Sequence, residues 1–404
     1  MRDERGGSLP AMSEPLPFEK LIAIDELLTD EERMVRDSVR RFVRERYLPR
    51  AGEWFATEQF PTELIPEIAG MGLLGAGIQG YGCAGMGAVM YGLALHELEY
   101  GDSGLRSFAS VQGSLVMYPI SAFGSEEQRE RFLPKMAAGE IIGCFGLTEP
   151  DSGSDPGSMT TRAKKDGGDY ILNGTKFWIT SSPISQVALV WAKVDDGGAD
   201  SIRGFLVERG MPGFETPLIH GKMSLRASPT GEIVLNDVRV PARNMLPGVQ
   251  GLKGPLACLT QARFGIAMGA LGAARACLDT VVSYTNERVQ FGVTLSSKQL
   301  VQKQLADMAT DIATGTLTWM HFARLKEKQG SISPVQVSLC KRNNCKVALD
   351  VARKSRGLLG GNGILLEYPV IRHMLNLESV YTYEGTNEVH ELILGMALTG
   401  KNAF

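Results

Sequence analysis

Tyr170-Ile171-Leu172-Asn173-Gly174-Thr175-Lys176-Phe177-Trp178-Ile179-Thr180 is the stretch where a chain of helical texture turns to strands. Two β-rich runs flank an Asn-Gly pair, which readily takes positive φ at both central positions of a type I′ turn, so the stretch predicts a hairpin. More β-rich runs follow at 187–194, 202–208 and 232–240, separated by Asp195-Asp196-Gly197-Gly198 and Met211-Pro212-Gly213. No helix alternates with them, which predicts a small antiparallel β domain over 142–247 and argues against a Rossmann sheet.

Toward the N-terminus, Thr29-x-x-Glu32 is a capping box, and Met34, Val35, Val39, Phe42 and Val43 follow at helical spacing. With helical segments at 64–71, 89–99 and 128–136, this predicts an α-helical domain over 18–141. Residues 1–17 read as a disordered leader; Asp3, Glu4 and Glu14, with no apolar run, fit neither a secretory signal nor a transit peptide. Toward the C-terminus, long apolar-striped segments at 255–286, 297–326 and 334–359 precede a terminal helix carrying Val389, Leu392, Ile393, Met396 and Ala397. Ser333-Pro334 supplies an N-cap and a proline at the first helical position. These predict a four-helix bundle over 248–404. The expected fold class is α+β with three domains, helical, β and helical.

A chain of 404 residues with 44% hydrophobic content has ample surface for several cores. A net charge of −3 gives no field for nucleic acid or anionic lipid, and no run of 18 apolar residues indicates a membrane span. The six cysteines lack metal-ligand spacing and read as reduced thiols, so neither a metal site nor a disulfide framework is expected.

Near the end of the chain, Tyr383-Glu384-Gly385-Thr386 sets a carboxylate between an aromatic ring and a glycine. Loss of water there would raise its pKa toward that of a general base, although the residue also reads as a first-turn Glu at a helix N-terminus. The loop from Phe145 to Asp155, with Leu147, Thr148, Gly153 and Ser154, is either a cofactor site at a domain junction or a connector. Trp178 and Thr180 offer a stacking face and a hydroxyl, or simply half-buried strand. The run Gly357-Leu358-Leu359-Gly360-Gly361 admits a pyrophosphate or caps a helix. Arg263, Arg288 and Gln299 belong to a phosphate site or to solvated surface. Glu99 and Arg106 form a polar pair facing a pocket or flank a loop.

As an ordered set, Leu147-Thr148-Glu149-Pro150 with Gly153-Ser154-Asp155, Trp178-Ile179-Thr180, Arg288 with Gln290-Phe291-Gly292, Gly360-Gly361-Asn362-Gly363 and Tyr383-Glu384-Gly385-Thr386 resemble the acyl-CoA dehydrogenase family, from about residue 20 to Phe404. The resemblance implies bound FAD, a homotetramer and electron transfer to electron-transfer flavoprotein. It implies Glu384 as the base that removes the α-proton, with Tyr383, Gly385, Ser154 and Arg263 along the acyl-CoA. Phe145, Leu147, Thr148, Gly153, Ser154, Trp178 and Thr180 would surround the isoalloxazine. Arg288, Gln299, Gly357, Leu358, Leu359, Gly360 and Gly361 would hold the FAD of a neighbouring subunit's site, and Thr386, Asn387 and Glu388 would also lie near the dinucleotide.

Within the family, the run Leu98-Glu99-Tyr100-Gly101-Asp102-Ser103-Gly104-Leu105-Arg106-Ser107 is most similar to the glutaryl-CoA dehydrogenase subfamily. There an arginine and a serine so placed hold the distal carboxylate of a dicarboxylic thioester, and the upstream glutamate joins the network. The physics agrees, because an unpaired buried guanidinium in a pocket for a plain acyl tail would cost several kcal/mol. The implied reaction converts glutaryl-CoA to crotonyl-CoA and CO2, a step of lysine and tryptophan degradation. It would run in bacterial cytoplasm or, in a eukaryote, the mitochondrial matrix. Three alternatives stay open: another short-chain acyl-CoA as substrate, an enzyme that stops before decarboxylation, and a non-catalytic acyl-CoA-binding protein if no flavin binds.

Overall fold

The Thr29 hydroxyl accepts the Glu32 N–H at 3.3 Å and the Glu32 carboxylate accepts the Thr29 N–H at 2.8 Å, which closes the predicted capping box and starts helix α1 (Asp30–Phe42). In this computed structural model, which describes residues 16–194 and 201–403, the first domain continues through α2 (Ala88–Gly101), α3 (Ser103–Ser110) and α4 (Glu126–Ala137). A second capping box, Ser125 with Gln128, opens α4. Most of the expected leader, and the turn expected at 195–198, lie outside the described residues.

The middle of the chain forms one seven-stranded sheet from β1 (Gly143–Gly146), β2 (Arg162–Asp166), β3 (Asp169–Thr180), β4 (Val187–Val194), β5 (Ile202–Glu208), β6 (Phe214–Glu215) and β7 (Thr230–Pro241). Its spine is the antiparallel pair β3 and β7. Most pairings are antiparallel as expected, but β4 runs parallel to both β1 and β2. The long stretch between β1 and β4, which carries the β2–β3 hairpin, provides the crossover a parallel pair requires.

The hairpin expected at Asn173-Gly174 is not there. Those residues lie inside β3, where the register with β7 slips between Leu172 and Gly174. Gly174 is required by crowding, because a Cβ on it would sit 2.5 Å from Thr161 Oγ1. Asn173 exchanges side-chain hydrogen bonds of 2.9 Å with Asp237 across the bulge. The turn itself falls two residues before Tyr170, at Gly167-Gly168, between the paired Asp166 and Asp169.

The last domain is built on α5 (Lys253–Glu287), with α6 (Gln299–Gln329), α7 (Pro334–Leu358), α8 (Pro369–Thr382) and α9 (Asn387–Thr399) packed around it. A short hairpin, β8 (Val289–Gln290) and β9 (Val293–Thr294), joins α5 to α6. Helix α8 is an element the sequence analysis did not anticipate. By length and composition α5 could cross a membrane, yet 78% of its most apolar window is buried inside the protein. Glycines let α2 press against it: a Cβ at Gly272 would come 2.0 Å from the His96 carbonyl oxygen. Phe108, Leu115, Phe145, Leu147, Cys258 and Ala262 share one apolar cluster, so the three parts of the chain meet in a common core.

Candidate active site

Helix α8 ends at Thr382 and α9 begins at Asn387, so residues 383–386 form a tight link. Glu384 sits in the left-handed region at φ 52°, followed by Gly385 at φ 91°, and the Thr386 hydroxyl then caps α9 by accepting the Val389 N–H at 3.3 Å. A left-handed non-glycine residue costs roughly 1–2 kcal/mol. Three successive carbonyls hold it in place: Lys341 Nζ donates to the Tyr383 oxygen at 2.8 Å and to the Gly385 oxygen at 2.6 Å, and Arg263 Nε donates to the Glu384 oxygen at 2.6 Å. Hydrogen bonds from a charged donor contribute about 1.5–3 kcal/mol each, so together they outweigh the backbone strain.

The Glu384 carboxyl faces the interior, and its Oε2 is buried without a hydrogen-bond partner. Burial pushes its pKa up, while the cationic Arg106, Arg263 and Lys341 pull it partly back. A carboxylate short of water, accepting no proton from its neighbours and surrounded by cations that keep it ionisable, has the properties of a general base. His390, packed against Gly385, bonds Ser338 Oγ at 3.0 Å and is held neutral, its pKa pushed down to about 3 by burial and by Lys341 and Arg263.

One turn of α3 brings the second half of the site. Arg106 is only 1% exposed; its Nε donates to Glu99 Oε2 at 2.6 Å and its Nη2 to the Tyr383 hydroxyl, with Ser107 Oγ 3.5 Å from the same hydroxyl. The other Glu99 oxygen is buried without a partner. Gly269 on α5 makes room for this pair, since a Cβ there would lie 2.3 Å from Glu99 Oε2. Asp102 sets the position of α3: one oxygen caps the helix at the Gly104 N–H, 2.7 Å away, and the other accepts Arg372 and Asn376 of α8. The structure thus gathers Glu99, Arg106, Ser107, Arg263, Tyr383, Glu384 and Gly385 at one place, joined by Lys341, which the sequence analysis missed.

A second group lies in the middle domain. Phe145 and Leu147 are buried, and the Thr148 carbonyl accepts the Phe177 N–H at 2.9 Å, binding the loop to β3. Sequence reasoning also missed what fixes this loop. Lys176 Nζ, buried, donates to Glu149 at 2.8 Å and to the Leu147 oxygen at 3.0 Å, while Glu149 takes the N–H and hydroxyl of both Thr160 and Thr161. Trp178 is 58% exposed at φ 62° on a second bulge of β3, so it presents its ring outward and is not core. Gly153 and Ser154 are open to solvent, and a Cβ at Gly153 would touch nothing. Thr180 is half-buried, and beside it the hydroxyls of Ser181 and Ser182 are buried without partners. An exposed aromatic plate on a strand tied through Phe177 to the Thr148 loop suits stacking against a flat heterocycle.

Arg288, Gln299, Gly357, Leu358, Leu359, Gly360 and Gly361 form a third group, not joined to the others. Arg288 ends α5, 25 residues beyond Arg263, or about 37 Å along the helix axis at 1.5 Å per residue. Gly357, Gly360 and Gly361 are exposed with nothing within 4 Å of a Cβ, and Gly360, at φ 58°, also ends α7 as a glycine cap would. Asn387 is buried and Glu388 exposed at the start of α9. A surface cleft of about 350 Å³ between Ser38, Arg41, Glu45 and Glu67 touches none of these groups.

The chain belongs to the acyl-CoA dehydrogenase family, whose members bind FAD: the family's N-terminal, middle and C-terminal domain models match residues 29–140, 144–238 and 250–399. Among particular relatives, it is 39% identical over 311 residues to the short-chain specific acyl-CoA dehydrogenase of Megasphaera elsdenii, covering 76% of this chain and 81% of that one. A solved glutaryl-CoA dehydrogenase from Mycobacterium smegmatis, in complex with FADH2, superposes with a TM-score of 0.94 at 53% identity, covering 96% of this chain and all of the other. A chain in a structure described as the electron transferring flavoprotein of Acidaminococcus fermentans matches at TM-score 0.89 and 34% identity, covering 93% and 99%.

Proposed function

We propose that this acyl-CoA dehydrogenase oxidises glutaryl-CoA and releases crotonyl-CoA and CO2. The observation that carries the choice of substrate is Arg106, a buried guanidinium that bonds the Tyr383 hydroxyl next to the base and acts on its charge, whereas a pocket built for a plain acyl tail would be lined by apolar side chains. A free carboxylate on the substrate gives it a second anionic partner beside Glu99. The 53% identity to a glutaryl-CoA dehydrogenase supports the same reading.

The chemistry of the residues follows from their positions. Glu384 takes the proton from the carbon next to the thioester, and its backbone N–H is offered to the thioester oxygen, where negative charge develops. Trp178, Thr148, Ser154 and Thr180 are the residues that would hold the ring of FAD, which would supply the acceptor for the hydride leaving the adjacent carbon. The new double bond then lies next to the carbon bearing the carboxylate, so the electrons left by departing CO2 delocalise into the thioester. Glu384, now protonated and kept so by burial, returns its proton to that dienolate. Arg106 and Ser107 hold the carboxylate until it leaves.

Further parts of the proposal are a homotetramer and electron-transfer flavoprotein as acceptor. The first is supported by the distance of Arg288 from the Glu384 site, about 37 Å along α5 from Arg263, which gives that end of the helix a use in a neighbour's site; the second is supported by the likeness to the Acidaminococcus fermentans chain. A rival reading, oxidation of butyryl-CoA or a similar short thioester, has the Megasphaera elsdenii relative in its favour. Purified protein is incubated with glutaryl-CoA, butyryl-CoA and an artificial electron acceptor, and the products are separated. Crotonyl-CoA and an equal amount of CO2 from glutaryl-CoA are expected. Accumulated glutaconyl-CoA would remove the decarboxylation step, and equal rates on butyryl-CoA would remove the substrate assignment.

A further inference from the structure

We propose that Lys341 is a positioning residue for the base: its ammonium ties the carbonyls of Tyr383 and Gly385 to α7 and so fixes the left-handed turn that presents Glu384 to the substrate. The inference rests on the assignment of Glu384 made above and adds to it what keeps that side chain aimed. Lys341 is fully buried. Among the described residues no carboxylate forms an ion pair with it; its two hydrogen bonds go to backbone oxygens on either side of Glu384. The other fully buried lysine, Lys176, has the Glu149 carboxylate 2.8 Å away.

A buried cation without an ion pair is expensive, and an apolar residue on the same face of α7 would pack at no such cost. What the ammonium supplies that an apolar side chain cannot is two hydrogen bonds to non-adjacent carbonyls, with the strained residue between them. Arg263 takes the carbonyl in the middle, so the backbone of 383–385 has no free acceptor with which to rearrange. If this hold is lost, Glu384 relaxes toward the ordinary right-handed regions, which swings its carboxyl away from the place it now occupies. A displacement of about 1 Å at a reacting group is enough for a rate loss of roughly 10²-fold.

The groups that face Lys341 decide the electrostatic side of the test. They are Glu384 on the link, Arg263 from α5, Arg106 from α3, His390 and Glu388 from α9, and Cys345 one turn further along α7. Removing the ammonium takes away one of three cations that favour the ionised form of Glu384. Its pKa then rises further.

The test compares flavin-loaded wild type with Lys341→Met and Lys341→Gln. In Lys341→Met, kcat on the wild-type thioester substrate is expected to fall about 10²-fold with KM within about threefold, and the acid limb of the kcat profile to move to higher pH. Lys341→Gln keeps an N–H2 that can donate but no charge, so it is expected to regain part of kcat while its acid limb stays displaced. A flavin-loaded Lys341→Met protein with wild-type kcat and an unmoved acid limb overturns the proposal. Failure of both variants to give flavin-loaded protein also overturns it, because Lys341 would then serve folding alone. Glu384→Gln with Lys341 intact is measured in parallel. Turnover surviving there refutes the base assignment itself, whereas turnover lost there with Lys341→Met unaffected refutes only the positioning role.

Discussion

The pairing of Arg106 with Glu99 makes the obvious test of substrate choice misleading. Arg106→Met alone would strand Glu99, which is fully buried and already has one oxygen without a partner. Breaking a buried ion pair in this way costs about 3–5 kcal/mol, enough to lose the fold before selectivity is measured. The double variant Glu99→Leu/Arg106→Met replaces both charges by apolar side chains of similar size, an exchange that is often neutral for stability. What it also removes is the charge-assisted contact to the substrate's free carboxylate, worth about 1.5–3 kcal/mol. At 1.36 kcal/mol per decade, kcat/KM for glutaryl-CoA should fall about 10- to 150-fold. Butyryl-CoA, which has no carboxylate to lose, should react as fast as with the wild type or faster. The assay is dye reduction on both thioesters, with flavin content and unfolding temperature recorded for each preparation. A glutaryl-to-butyryl ratio within about threefold of wild type, in a double variant that still holds flavin, would refute the assignment of Arg106 to the substrate tail.

Three further outcomes follow from the same site. Gly269→Ala would put a Cβ 2.3 Å from Glu99 Oε2 and 3.1 Å from Arg106 Nε, in a pair that cannot retreat into solvent; a loss of about 1–3 kcal/mol is expected. A lower unfolding temperature together with a reduced preference for glutaryl-CoA checks it, and wild-type values for both would show that the pair is looser than it is drawn. Because burial raises the Glu384 pKa, the acid limb of kcat/KM should lie above the ordinary carboxylate range, with activity rising as the base ionises. The stability term has the opposite slope: the folded state keeps a proton that the unfolded state releases, so this group favours folding at low pH and that advantage is lost as pH rises through the folded pKa. Glu384→Gln should abolish turnover and flatten that part of the stability profile, which unfolding measured across the pH range will show.

What the sequence made legible is mainly what is decided locally. The capping box at Thr29 and the N-cap at Ser333 lie within four residues, and both form as expected, Ser333 in a full capping box with Gln336. The Glu384-Gly385 pair likewise carries its own signal. Asn173-Gly174 was misread because its local chemistry serves a turn and a bulge equally well; the deciding contact is with Thr161, on another part of the chain. Lys341 was invisible for a similar reason. On α7 it shares a face with Val337, Cys340, Asn344, Cys345 and Ala348, where it reads as an interruption of a core stripe, and its partners are carbonyls 42 and 44 residues away. Backbone acceptors have no residue type, so no pattern of side chains could have pointed to them. Lys176 and Glu149 could have been paired as the buried charges flanking one loop, but their separation of 27 residues holds no periodicity that selects them.

The charge of the assembled site links these separate observations. Arg106, Arg263 and Lys341 all act on Glu384, and the carboxylates enclosed with them are Glu384 itself and Glu99, Glu388 being open to solvent, so with every enclosed group ionised the cluster carries one uncompensated positive charge. His390 adds nothing, being held neutral. In a buried site that surplus is partly relieved by depressing the most easily deprotonated cation, and the Lys341 pKa is indeed pushed down to about 8, chiefly by burial. A substrate with a free carboxylate at the far end of its acyl chain brings the missing negative charge and neutralises the cluster, whereas a plain short-chain thioester leaves the surplus in place. The electrostatics that keep the base ionised and those that favour a dicarboxylic substrate are therefore the same. Any change that removes a cation from this cluster should alter base strength and substrate preference together.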